Sequence, residues 1–598
     1  MFCPECGHKI EEKGARFCPE CGTDLGVADI PDVNVPDANV TDENIAGLKI
    51  NPASAKGSSS ETLYGLIFTN VGLLADKLDV ESSDLEKLLD DFIAYKKEYG
   101  VNYRLIDAGN YTFARTGLFS RERTVHLDSD SPVEDYMEIL LDVHEKEEKK
   151  GKDVSTYLFI IGGNDIIPMP VIRHYVQKDG NSDKDIDTDL PYSLPYGRDV
   201  LAKLESMDAF RYDQLFFIGR LPLGTDATPE DLVGYLQRDL DNSSGIPLNF
   251  AYGQCDPNWK NVSARVASEL VSTGLLLDLE GKLVPGAYYN RLMLSPMISA
   301  ENVSKVLNRQ ASLYYFNVHG GRGMNMPEYY GQSLQEEGGN WYTVFSPQHI
   351  AACREANGVV CEACYGAKFI GCDKRHSMVL SAMSASTLLF LGSSRVAWGS
   401  VDHSGATPST ASVGFADIIA NTYLGAVLRG YTAGEAFLEA RRKIFGRYEF
   451  GEPVAAATVV EFNLFGDPTL RFSAEGGISK DTAFPDIQKS IVEPDAEMKV
   501  ASYEPVARPE GESVLDMVRN AVNANINDMH SMIARHLYSN YKVDARKPES
   551  IFRLKYTDGS EEYRFTYMTG SHDDGGIKSY ITVSSDPEGK INNVFSTK

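Results

Sequence analysis

Between residues 63 and 473, short and almost wholly apolar runs alternate with longer stretches in which apolar residues recur every three or four positions. An apolar run of roughly 4–8 residues reads as a strand buried on both faces, and the 3.6-residue period reads as a helix with one buried stripe. Residues 63–70, 101–106 and 157–161 are strands on this reading. Leu85, Leu88, Leu89, Phe92 and Ile93 mark the buried face of a helix over 83–99, and Ser131-Pro132 opens another that runs to 149. The alternation continues with strands at 216–221, 248–253, 313–318, 358–361 and 387–392. Helices fall at 229–241, 262–275, 300–308, 377–384, 412–428 and 433–445. Such alternation predicts an α/β class: a parallel sheet, or two in sequence, with helices on both faces.

The flanks carry different patterns. Residues 27–60 are dominated by Asp, Asn, Pro, Val and Ser without a helical period, which predicts a flexible tether. Residues 476–510, rich in Pro, Glu, Asp and Ser, predict a second linker. Val514, Met517, Val518, Val522, Ile526, Met529 and Ile533 then mark an amphipathic helix over 513–541. Four short alternating runs follow, separated by glycine turns, so the chain ends in a small α+β module. The expected division is a metal knuckle at 1–26, a linker at 27–60, two α/β units at 61–240 and 241–475, a linker at 476–510 and the α+β module at 511–598. The last carries no catalytic constellation and reads as a partner-binding or regulatory module.

Charge narrows the function classes. At 598 residues and a net charge of -27, the chain lacks the basic face of a general nucleic-acid binder. No apolar stretch reaches the ~18 residues of a membrane span, and the opening Met1-Phe2-Cys3-Pro4 has neither the charged nor the apolar region of a leader. Of nine cysteines, Cys3, Cys6, Cys18 and Cys21 form two Cys-Pro-Glu-Cys-Gly knuckles with the spacing of a tetrahedral structural zinc site. The knuckle pair resembles the zinc ribbons at the N-termini of many bacterial multidomain proteins. The other five thiols do not suggest a disulfide framework, so a reducing, cytoplasmic setting is expected. The Asp-rich stretch 183–189 lacks the spacing of a calcium loop and reads as a solvated acidic loop.

Chemistry concentrates at two strand ends. The run Leu313-Tyr314-Tyr315-Phe316-Asn317-Val318 delivers His319, followed by Gly320-Gly321; the run from Gly358 delivers Cys361-Glu362-Ala363-Cys364. Sites in open α/β sheets form beyond the carboxyl ends of strands, so a thiol and an imidazole there are a candidate nucleophile and base. Cys361 is a rival nucleophile, but it lies inside the apolar run and reads as a core thiol.

Strand-His-Gly followed by strand-Glu-Ala-Cys resembles the caspase–legumain–gingipain–separase group of cysteine peptidases. Within it the gingipain-like family is closest, with Gly219-Arg220-Leu221-Pro222, Phe345-Ser346-Pro347 and Asn463-Leu464-Phe465-Gly466-Asp467-Pro468-Thr469-Leu470 adding to the likeness over about 63–473. The resemblance implies a caspase/gingipain-like sheet flanked by helices, with Cys364 as nucleophile, His319 as base and then acid, and the Gly320 and Cys364 N–H groups as oxyanion hole. It also implies a pocket beside the dyad for the residue preceding the scissile bond. Ser394 and Trp398, after the next strand, are expected to line it. Asp256, after the 248–253 strand, is expected to select Arg or Lys by charge. The function expected is an intracellular cysteine endopeptidase acting on protein or peptide, regulated by a partner through the zinc ribbon or the C-terminal module. The rival is a non-catalytic scaffold of the same fold, against which the intact His319 and Cys364 count.

Overall fold

The computed structural model describes residues 48–52, 62–113, 123–151, 153–173, 185–206, 214–278, 288–295, 311–321, 327–332, 341–447, 452–473, 478–483, 500–506, 525–556, 558–571 and 578–598. The zinc knuckles, most of the 27–60 tether and the expected 300–308 helix lie outside these residues.

Both α/β units share one sheet of 11 strands. Its order is Tyr288–Tyr289, Leu292–Leu294, Ala251–Cys255, Leu313–Asn317, Gly358–Cys361, Leu389–Ser393, Phe462–Phe465, Phe217–Leu221, Tyr157–Ile161, Leu63–Thr69 and Val101–Asp107. Within each half the main strands run parallel, and the halves meet antiparallel where Phe390 pairs with Phe465 and Ser393 with Phe462. The strands at 157, 251, 313, 358, 389 and 462 are buried throughout, as expected where helices cover both faces. The sequence signals for helices hold with small shifts. The helix expected at 83 spans Ser82–Glu98, and that after Ser131-Pro132 spans Val133–Lys150. Ser377 caps Met378–Ala385 by accepting the Leu380 N–H. The stretch 262–275 is two short helices, Lys260–Val266 and Ser268–Ser272, broken at Ala267.

The motif residues outside the strand ends are structural. Arg220, fully buried, donates in bidentate fashion to Asp189 at 2.6 and 2.8 Å and to the carbonyls of Gly162 and Ile167. Asp189 is therefore an interior ion-pair partner and not part of a solvated loop. Asp467 receives the Lys96 ammonium at 2.9 Å and the Tyr103 hydroxyl at 2.6 Å. The Asp467 contacts tie the turn after Phe465 to the edge strand Val101–Asp107 and to the helix Ser82–Glu98 before it.

The C-terminal module is α+β, as its pattern predicts, but it recruits two strands from before its expected border at 511. Its six strands run Trp398–Ser400, Ile591–Thr597, Lys578–Ser585, Glu561–Ser571, Ser550–Tyr556 and Val500–Pro505. Val500–Pro505 comes from the stretch read as a linker, and Trp398–Ser400 from the peptidase-like unit. Helix Asn525–Tyr541 lays Ile526, Met529, Ile533 and Leu537 on the face made by Phe565, Ile581 and Val583. Part of the 27–60 tether also packs: Leu48 and Ile50 are buried, and the Asn51 N–H donates to Gln237 Oε1 at 2.7 Å. Among the described residues no helix is long and apolar enough to cross a membrane.

Candidate active site

Register brings the histidine and the cysteine to one level. The strands Leu313–Asn317 and Gly358–Cys361 are parallel neighbours with Phe316 opposite Cys361. His319 and Cys364 each lie three residues beyond that pair, at the carboxyl ends of their strands. The next strand over ends at Cys255, paired with Asn317, and Asp256 follows it. Asp256, His319 and Cys364 thus come from three consecutive strand ends.

The loop at Cys364 is tightly held. The Tyr365 N–H donates to Arg395 O at 2.8 Å and Gly366 N–H to Ala363 O at 3.0 Å. Tyr365 sits at φ 54°, a left-handed conformation that is unfavourable for a bulky side chain. A Cβ on Gly320 would lie 1.8 Å from the Cys364 carbonyl oxygen, so glycine is required for the histidine loop to close on the cysteine loop. Cys364 is 6% exposed. Cys361, at the strand terminus, is fully buried; burial pushes its thiol up to about 12, which leaves it protonated and inert.

His319 is buried, with its ring 4.4 Å from that of Trp259. Burial and then the Lys598 ammonium hold its imidazole well below the usual range, so the neutral form is favoured. Asp256 Oδ2 lies 3.7 Å from His319 Nε2, beyond hydrogen-bond length, while its Oδ1 accepts the Asn258 N–H at 2.9 Å. This carboxylate faces the histidine. The acid in the pocket beside Cys364 is Asp417, in the first turn of helix Ala416–Leu428.

That pocket holds Lys598. The strand Ile591–Thr597 lies antiparallel to Trp398–Ser400, with Thr597 opposite Trp398, and delivers Lys598 to the cysteine. The Lys598 carbonyl oxygen accepts the Cys364 N–H at 3.4 Å, and the Lys598 N–H donates to Ala397 O at 2.9 Å. Its ammonium, fully buried, is 3.0 Å from Asp417 Oδ1, donates to Ser400 O at 3.3 Å and lies 4.4 Å over the Trp259 ring. Asp417 is held for this contact, since its Oδ2 accepts the N–H groups of Ser400 at 2.6 Å and Gly414 at 3.0 Å. Glu362, beside it, accepts the Tyr315 hydroxyl at 2.7 Å; burial and the Asp417 charge hold its carboxyl well above the carboxylate range. A Cβ on Gly399 would stand 2.1 Å from Lys598 Cε, so glycine shapes the pocket wall.

The other sequence-derived pocket residues fall as follows. Trp398 meets Phe595 edge-on at 5.6 Å, three residues before Lys598. The Ser394 hydroxyl donates to Asp187 O at 2.7 Å and Glu461 O at 3.2 Å, so it is engaged by main-chain carbonyls. A separate hollow also touches Cys364, lined by Gly320, Gly321, Tyr329, Tyr365, Lys368 and His376 among others. Sequence reasoning missed Trp259, Gly399, Asp417 and Lys598. Only Trp259, three residues past Asp256 at a strand end, carried a positional signal.

The chain is a cysteine peptidase of gingipain-like fold, with a thiol and an imidazole at adjacent strand ends of its sheet. The chain belongs to peptidase family C25, whose family model matches residues 75–473. A zinc-ribbon domain matches residues 2–25. Three solved structures resemble it distantly. The Arg-specific cysteine proteinase gingipain R (RGPB) is 12% identical, over 91% of this chain and 93% of its own, at a TM-score of 0.44. The complex of Porphyromonas gingivalis RgpB pro- and mature domains is 13% identical, over 88% and 98%, at 0.42. The Saccharomyces cerevisiae separase–securin complex is 12% identical, over 55% and 16%, at 0.27. No curated protein matches the chain.

Proposed function

We propose that this cysteine peptidase is an endopeptidase that cleaves after a basic residue, lysine above all, through Cys364 and His319. The observation that carries the reading is the pocket beside Cys364, where Asp417, Ser400 O and the Trp259 ring converge on one ammonium. His319 takes the Cys364 thiol proton, and the thiolate attacks the carbonyl carbon of the residue whose side chain fills the pocket. Negative charge develops on the carbonyl oxygen, against the Cys364 N–H, with Gly320 N–H as the second donor. The imidazolium protonates the leaving amine, and water, deprotonated by His319, hydrolyses the thioester. Asp256, facing His319, steadies the imidazolium as a positioning residue.

Cys3, Cys6, Cys18 and Cys21 would hold one structural Zn²⁺ in the zinc-ribbon segment, with Gly7 and Gly22 allowing the tight turns. We place the enzyme inside the cell, where the free thiols of Cys255, Cys353, Cys361, Cys364 and Cys372 are at home. The test is cleavage of a proteome-derived peptide library by the chain carrying Lys598→Ala, which empties the pocket, beside a Cys364→Ala variant of that chain. Cuts after lysine that vanish in the variant are expected; cuts that persist, or that show no basic residue before them, refute the assignment.

A further inference from the structure

The occupant of the pocket is part of the chain itself. We propose that Ile591–Lys598 is a built-in substrate mimic, which fills the substrate groove with Lys598 at the position preceding the scissile bond and keeps the peptidase shut until the strand leaves. This rests on the reading of Cys364 as nucleophile and of the Asp417 pocket as the lysine site.

Four observations carry it. First, the strand binds as an extended substrate would, pairing in antiparallel register with the Trp398–Ser400 edge, so its main chain fills the hydrogen bonds an incoming peptide needs. Second, the contacts continue upstream of Lys598: Trp259 Nε1–H donates to Ser596 Oγ at 3.3 Å, and Phe595 wedges between Trp398 at 5.6 Å and Phe415 at 5.1 Å. Third, the Lys598 carbonyl oxygen sits on the Cys364 N–H, where a scissile carbonyl belongs. Fourth, Lys598 and Asp417 are both wholly buried, and a buried ammonium needs such a partner.

The tether makes this block effective. An attached strand acts at an effective concentration of about millimolar. A free peptide that binds the groove equally well is outcompeted at micromolar concentration. The strand belongs to a sheet with its own helix and its own core, so what happens to that module is read directly at Cys364. The C-terminal module is then a gate, and the partner that controls the enzyme is one that binds or deforms this sheet.

The experiment uses the full chain. Hydrolysis of a fluorogenic peptide with lysine before the reporter is measured for the wild type, for Lys598→Ala, and for a chain with a specific protease site inserted between Glu588 and Gly589, assayed before and after cutting. Alkylation of Cys364 by iodoacetamide is followed in parallel by peptide mass spectrometry. At least a tenfold rise in kcat/KM and in Cys364 alkylation is expected on Lys598 substitution or on cutting. A synthetic Ile591–Lys598 peptide should then inhibit the opened enzyme competitively, and its alanine-ended analogue should not. The inserted site opens a protein that has already folded, so a folding defect in Lys598→Ala does not block the test. Unchanged hydrolysis and unchanged alkylation after cutting overturn the mimic. Faster alkylation without hydrolysis of any lysyl or arginyl peptide keeps the mimic and overturns the endopeptidase reading.

Discussion

Substituting Asp417 by Asn tests the pocket most directly. Asn keeps the shape and one acceptor but removes the charge that meets the ammonium at 3.0 Å. Both partners are fully buried, so solvent does not screen the pair. Breaking a buried pair by removing one partner costs about 3–5 kcal/mol, which at about 1.4 kcal/mol per decade is a loss of roughly 10²–10⁴ in kcat/KM for a lysyl substrate. Glu362 shifts the expectation to the low end. Burial and then the Asp417 charge hold its carboxyl well above the carboxylate range. With that charge gone it ionises more readily and supplies part of the missing counter-charge. About 10² is therefore expected for Asp417→Asn, with a further fall on adding Glu362→Gln. The assay is kcat/KM in a Lys598→Ala background, so the pocket is open, on peptide pairs that differ only in lysine or methionine before the scissile bond. Selectivity for lysine should collapse while the methionine substrate changes little. An equal loss on both peptides would refute the argument, since it would show that Asp417 supports the fold and not recognition.

Gly320→Ala places a Cβ 1.8 Å from the Cys364 carbonyl oxygen. Overpacking of about 1–3 kcal/mol should lower Tm modestly and abolish most of kcat, and a variant with wild-type kcat would contradict the close approach of the two loops. His319 has a folded-state pKa below its unfolded value of about 6.5, so it contributes stability that is complete above that value and fades as pH falls. Tm should drop between about pH 7.5 and about pH 5.5, less so in His319→Asn; equal drops would rule the histidine out. Lys598→Ala should raise the His319 pKa, read by NMR titration of the ring. Purified protein should carry about one zinc per chain, lost in Cys6→Ser with little change in hydrolysis by the opened enzyme; metal retained in the variant would remove Cys6 from the ligand set.

What the sequence could show follows from how local each signal is. The strands at 157, 313 and 358 are uninterrupted apolar runs, and the helix from Ser82 shows its stripe within one window, so element type and class were legible. The candidate pair His319 and Cys364 stood out for the same reason, each lying within three residues of the end of such a run. The single 11-stranded sheet was not legible, because the join depends on Phe462–Phe465 meeting Leu389–Ser393 antiparallel, a pairing that neither segment encodes by itself. Asp256 shows the limit at the site. Its place after a strand brought it to the active face, but whether it meets the histidine or the substrate depends on the register of three strands. Val500–Pro505 failed for a different reason: a run containing Glu504 and Pro505 suits an edge strand, and edge strands lack the apolar signature of central ones.

Lys598 was invisible because its meaning lies in a contact made across about 200 residues of chain, between Ile591–Thr597 and Trp398–Ser400. In isolation a lysine after a strand is a solvated surface charge. Its burial here requires three things at once: an acid on a helix start at Asp417, a glycine at 399 to leave room, and an aromatic face at Trp259. None of the three is in the core of the C-terminal module, which is built from Phe565, Ile581, Val583 and the Asn525–Tyr541 helix. Because a buried charge is costly without its partner, a pocket whose only task was packing would be better filled by an apolar side chain. On the proposed function the lysine is accounted for by a pocket that receives a basic side chain, and the strand is held by the contacts a substrate would make.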